Sequence, residues 1–113
     1  MSKSPTITSS KHGEKLPPVS PGEILRCEFL EPLNLSATKL ASYMGVPATR
    51  VTAILSDKER RTITADTALR LSLVFKTSPE FWLNLQSNYD VAQLDYTGEK
   101  EKICKEVRAF AKA

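Results

Sequence analysis

The side chains that could carry bond-making chemistry in this 113-residue sequence are few. There is one histidine, His12, in a polar N-terminal stretch, and there are two cysteines, Cys27 and Cys104, far apart and without the C-x-x-C spacing of zinc or redox sites. A lone imidazole leaves no partner for a His-rich metal site or a His-paired nucleophile elsewhere in the chain. The carboxylates are scattered over what read as helix surfaces, so no pocket chemistry can be assembled and no catalytic residue, metal ligand or cofactor is expected. The cysteines read as free thiols in a reducing compartment.

The chemistry left is recognition by charge and shape. The formal net charge is +3, modest enough to permit a nucleic-acid partner without demanding one. Its distribution is more telling. Residues 47 to 61 carry Arg50, Lys58, Arg60 and Arg61 against Asp57 and Glu59, whereas the stretches on either side are net acidic. At about 100° per residue, Val51, Ile54 and Leu55 share one face of a short helix. Thr49 and Ala53 lie opposite, with Ser56 beside them and Thr52 and Arg50 on the flanks. An outer face of small and hydroxyl-bearing side chains lets a helix backbone enter a duplex major groove about 12 Å wide and reach base edges. Thr49, Arg50, Thr52, Ala53 and Ser56 are therefore candidate base contacts, with Arg50 suited to guanine or to phosphate. Lys39, Lys58, Arg60 and Arg61 are candidate phosphate contacts. The same residues also fit a plain solvated helix followed by a solvated, internally paired loop.

The elements that must position this face are helical. Residues 1 to 18 are rich in Ser, Thr, Lys and Pro and have little to bury, so a flexible arm is expected. Ser20-Pro21-Gly22-Glu23 then supplies a cap, a first-turn proline and an acid. The first helix should run to about Leu30, burying Ile24, Leu25 and either Cys27 or Phe29, and stop at Pro32. Ser36 caps a second helix with Leu40, Ala41 and Met44 at helical spacing. Gly45-Val46-Pro47 turns into the third, Ala48 to about Ser56, which completes a helix-turn-helix. Thr64 opens a fourth, with Ala68, Leu69, Leu71, Ser72 and Phe75 as its buried stripe. Ser78-Pro79-Glu80 opens a fifth, to about Leu94. After a polar break at 95–98, Ile103, Val107 and Phe110 indicate a terminal amphipathic helix. The fold class expected is all-α: a five-helix helix-turn-helix domain over 19–94, preceded by the arm and followed by a helical extension over 95–113. Trp82, Leu83, Leu85 and Tyr89 put apolar groups around more than one face of the fifth helix, which suggests a homodimer interface; burial by the terminal helix is the alternative. No run approaches the roughly 18 apolar residues of a membrane span, and no secretory pattern opens the chain, so a cytoplasmic protein without a membrane partner is expected.

The runs PVSPGEIL (18–25), FLEPLNLS (29–36), RVTAIL (50–55) and ITADTALRLSLVFKTSPEFWLNLQ (63–86) resemble the HigA family, lambda-repressor-like antitoxins of bacterial toxin–antitoxin modules. The resemblance extends from Pro18 to about Leu94. It implies a homodimer on palindromic double-stranded operator DNA, repression of its own operon, and neutralisation of a RelE-like (HigB-type) toxin that cleaves messenger RNA. It maps the recognition helix onto Ala48 to Ser56. Two features depart from the pattern. Position 37 is alanine where such domains often carry glutamine, and the loop from Ser56 to Thr62 is longer than usual. A stand-alone repressor without a toxin, and a protein-binding helical module, are the alternatives.

Overall fold

The computed structural model describes residues 15–56 and 61–110, and among them every regular element is helical. Six helices follow in chain order. The first, α1, is composite: α-helical over Pro21–Ile24, π-helical over Leu25–Leu30 and α-helical again over Glu31–Leu33. Then come α2 (Ala37–Met44), α3 (Ala48–Leu55), α4 (Ala65–Phe75), α5 (Pro79–Thr97) and α6 (Glu99–Glu106).

The start signals act as the residue types dictate. Ser20, in extended backbone, accepts a hydrogen bond from the Glu23 N–H at 3.1 Å, with Pro21 in the first turn. Ser36 does the same for the Lys39 N–H at 3.0 Å, and Ser78 for the Phe81 N–H at 3.1 Å. Thr64 caps α4, and Gly45 closes α2 at φ 73°.

Pro32 does not end α1. In the π-helical stretch each N–H reaches back five residues, as in the Glu31 N–H bond to the Arg26 carbonyl. Pro32 falls in the first turn of the α-helical segment that follows, where its missing N–H removes no established bond. The helix ends instead at Asn34, left-handed at φ 54°, with the Leu35 N–H on the Leu30 carbonyl at 2.9 Å. The changed register also changes what is buried. Leu25 and Leu30, five apart, both enter the core, while Ile24 and Phe29 are half-buried and Cys27 is exposed.

Three other expectations shift. Leu69 is exposed, because Ala68, Leu71 and Ser72 define the inward stripe of α4 and Leu69 lies about 100° away from Ala68. The polar run after Leu94 does not break α5, which continues to Thr97 and turns at Gly98 (φ 88°). The terminal helix ends at Glu106, so exposed Val107 and Phe110 lie beyond it rather than on one stripe with Ile103.

The chain divides into two compact units. One, Val19–Asp90, holds the whole buried core: Leu25, Leu30, Leu40, Ala41, Met44, Val51, Ile54, Ile63, Ala68, Leu71 and Trp82. Trp82 is fully enclosed. Its ring lies 5.0 Å from both Phe29 and Phe81 by centroid, and its Nε1–H donates to Thr77 Oγ1 at 2.7 Å. The surface expected from Trp82 for a second copy is therefore already consumed within the chain; Leu83, Leu85 and Tyr89 stay half-buried. Buried Gln86 accepts from the Ile63 N–H at 2.8 Å and donates to Asp90 at 3.0 Å, which fastens the approach to α4 onto α5. In the other unit, whose described residues are 15–18 and 91–110, Lys15 donates to the Asp95 carbonyl at 2.6 Å and pairs with its carboxylate at 3.3 Å.

Gly22 sets the fit between α1 and α3. A Cβ placed on it would fall on the Ile54 carbonyl oxygen and lie 3.3 Å from the Leu55 Cα, so the two backbones meet there with no room for a side chain. Gly22→Ala is expected to lower the unfolding free energy by about 1–3 kcal/mol, the usual cost of forcing extra carbon into a packed contact. Urea denaturation monitored by circular dichroism checks this.

Candidate nucleic-acid interface

Everything about α3 follows from which of its faces the core takes. Val51 and Ile54 are buried, and Leu55 is half-buried behind them. Thr49 and Thr52 are exposed on the other side, with Arg50, Ala53 and Ser56 half-buried at its edges. The outward surface is thus short side chains and hydroxyls, as the spacing predicts. The Thr52 hydroxyl donates to the Thr49 carbonyl at 3.2 Å, which occupies its proton and leaves its oxygen as an acceptor.

Both ends of the helix are tied to other elements through an arginine, Arg26 of α1 at one end and its own Arg50 near the other. At the C-terminal end, Arg26 of α1 donates through Nη2 to the Leu55 carbonyl at 2.8 Å, satisfying an orphan acceptor where the helix dipole favours a cation. The Ala53 carbonyl receives the N–H of Ser56 at 3.4 Å and that of Arg61 at 3.0 Å, so the chain returns against the helix it left. Near the N-terminal end, Arg50 Nη1 lies 2.8 Å from Asp66 Oδ1 on α4. The same oxygen accepts from Arg70 Nε at 2.8 Å, and Arg70 Nη1 donates to the Met44 carbonyl at 2.8 Å, closing the end of α2. One carboxylate oxygen therefore links the recognition-type helix, α4 and the helix-turn-helix corner. The two guanidinium hydrogen bonds, Arg70's first and Arg50's second, hold the Asp66 carboxyl below its ordinary value of 3.8.

Of the candidate contacts, Thr49, Arg50, Thr52, Ala53 and Ser56 all sit on α3 or its C-cap. Lys39 is exposed in the first turn of α2, and Arg61 is exposed with its backbone tied to Ala53. Lys58 and Arg60 lie outside the described residues. Sequence reasoning missed Gly22, Arg26, Asp66 and Arg70. Asp66 and Arg70, four apart on one helix, were the legible pair; the contact of Arg26 with Leu55 joins distant positions and leaves no local signal. Among the described residues no group of three or more His, Cys, Asp or Glu could hold a metal ion, and no helix is long and apolar enough to cross a membrane.

Comparison with known proteins gives a consistent picture. A helix-turn-helix family model matches residues 28–82. Virulence-associated protein I of Dichelobacter nodosus is 47% identical over 77 residues, covering 68% of this chain and 69% of that protein. Antitoxin HigA-1 of Vibrio cholerae is 39% identical over 74 residues, 66% of this chain and 68% of its own length. Among solved structures, the Pseudomonas aeruginosa antitoxin HigA with the higBA promoter superimposes with a TM-score of 0.73 at 42% identity, covering 82% of this chain and 98% of that one.

The Asp66 linkage has a pH signature. Because its carboxyl titrates lower in the folded than in the unfolded chain, the stabilisation is fully present above the unfolded value and is lost as pH falls through the folded one. Melting temperatures of the parent chain and Asp66→Asn should differ by a constant amount from neutral pH down to about pH 5, and converge only below the ordinary carboxylate range. Thermal melts across that interval check it.

Proposed function

The chain belongs to the HigA-type helix-turn-helix family, and from that premise we propose that it is a sequence-specific DNA-binding antitoxin that represses the operon encoding it and neutralises a RelE-like, messenger-RNA-cleaving toxin. The single observation that carries the DNA half is the division of α3: Val51 and Ile54 locked in the core, Thr49 and Thr52 turned to solvent. Small outward groups allow the helix to seat deep in the major groove, where a threonine methyl meets the thymine methyl and its hydroxyl meets a base edge or phosphate. Exposed Lys39 on α2 and exposed Arg61, whose N–H bonds the Ala53 carbonyl of α3, fix the register on the backbone, each phosphate neutralised steepening the log–log salt dependence by roughly 0.9. Two copies on a palindrome would place two α3 helices one turn of duplex apart, about 34–36 Å; the half-buried Leu83, Leu85 and Tyr89 of α5 offer apolar surface for that pairing. The toxin half is supported by the HigA-1 antitoxin relative and by the HigA–promoter neighbour.

Two measurements test this reading. The parent chain should bind a duplex from the region upstream of its own gene with two protomers per site, and the double substitution Thr49→Glu, Thr52→Glu should weaken that binding by about a hundredfold or more, through like-charge repulsion in the groove. Undiminished affinity in a fluorescence-anisotropy titration at moderate salt would refute groove insertion. Co-expression with the product of the adjacent gene should yield a co-purifying basic partner whose messenger-RNA cleavage is suppressed; a stand-alone repressor would purify without one.

A further inference from the structure

Arg50 is the one long cationic side chain on α3, and the structure does not leave it to roam. Its side chain is about a quarter exposed, and its Nη1 pairs with Asp66 Oδ1 at 2.8 Å. Asp66 is itself held in place, since Arg70 donates to the same oxygen and is anchored in turn on the Met44 carbonyl at the end of α2. That anchorage sits at the turn, where a Cβ on Gly45 would stand 3.5 Å from Arg70 Nη1. The bracket is built on two helices, α2 and α4, that are themselves packed in the core through Leu40, Ala41, Ala68 and Leu71.

We propose that Asp66 is a specificity-determining residue of the α3 reading face, acting through Arg50: the carboxylate converts a flexible cation that would serve any phosphate into an oriented donor. The inference rests on the DNA-binding reading above. A guanidinium carries five N–H donors in a rigid fork, and the bond to Asp66 engages one nitrogen, Nη1, so the clamped group keeps donors for a base edge or a single phosphate in one pose. Asp66 also offsets the positive charge of Arg50, which restrains attraction to duplex of any sequence. Both effects favour discrimination over raw affinity: preorganisation raises the operator complex, and charge compensation lowers the non-specific one.

The test compares a duplex from the region upstream of the gene with a shuffled duplex of the same composition, each titrated at several salt concentrations. In Asp66→Asn the affinity for the shuffled duplex should rise, its log–log salt slope should steepen by about 0.9, and the operator-to-shuffled ratio should fall about tenfold, the discrimination expected of one well-placed arginine. In an Arg50→Gln background the same substitution should leave the ratio unchanged, because the two residues act as one unit. A merely structural role would lower the melting temperature without moving slope or ratio. If Asp66→Asn is unfolded at the assay temperature, Asp66→Glu carries the test: the charge is kept but the carboxylate is displaced by one methylene from the Arg50 guanidinium, so the slope should hold while the ratio falls. An unchanged ratio in the folded variant, or additive effects in the Arg50→Gln background, overturns the role of Asp66. A parent chain that does not distinguish the two duplexes overturns the DNA-binding reading itself.

Discussion

Val51 and Ile54 of α3 pack into the core, and almost everything else in this protein is arranged so that they can do so in one pose. A helix of eight residues has little stability of its own, because too few hydrogen bonds repay its nucleation. Burial of one face therefore has to supply both its existence and its orientation. Gly22 lets the start of α1 lie directly on the α3 backbone, and Arg26 from the same helix closes the last turn. A side chain at position 22 would push the helices apart and tilt the outer face.

Electrostatics refines what packing sets up. The unit that carries α3 spends three arginines on internal acceptors, Arg26 on a helix end, Arg70 on another, and Arg50 on a carboxylate. For a protein of a DNA-binding family this is a costly use of cations, since each internal pairing reduces general attraction to phosphate. The return is rigidity around the reading face. Lys39 and Arg61, by contrast, are exposed and take part in none of the ion pairs found among the described residues.

The core shows how a π-helical insertion and an aromatic cluster solve the same problem of filling space. The five-residue register of α1 brings Leu25 and Leu30 onto one face, and the half-buried Phe29 beside them reaches Phe75 and Trp82 at 4.8 and 5.0 Å. A helix of regular period through Pro32 would have presented a different set. Trp82 then becomes the central stone of the unit rather than part of its surface, and its indole N–H is satisfied by Thr77.

Local chemistry determined a great deal from sequence alone. Ser20, Ser36, Thr64 and Ser78 each stop the chain at a helix start because a short side-chain oxygen can satisfy an orphan N–H, and Gly45 permits the left-handed turn that makes the corner. The split of α3 into an apolar and a hydroxyl-bearing face is likewise a matter of period, so the candidate contacts at 49, 52 and 53 were visible as a pattern. The register of α1 past Pro32, the enclosure of Trp82, the outward turn of Leu69 and the grip of Asp66 on Arg50 were decided only in the folded chain. Each depends on which surfaces meet across long sequence separations, and the free energy of such a meeting belongs to the pair and not to either segment.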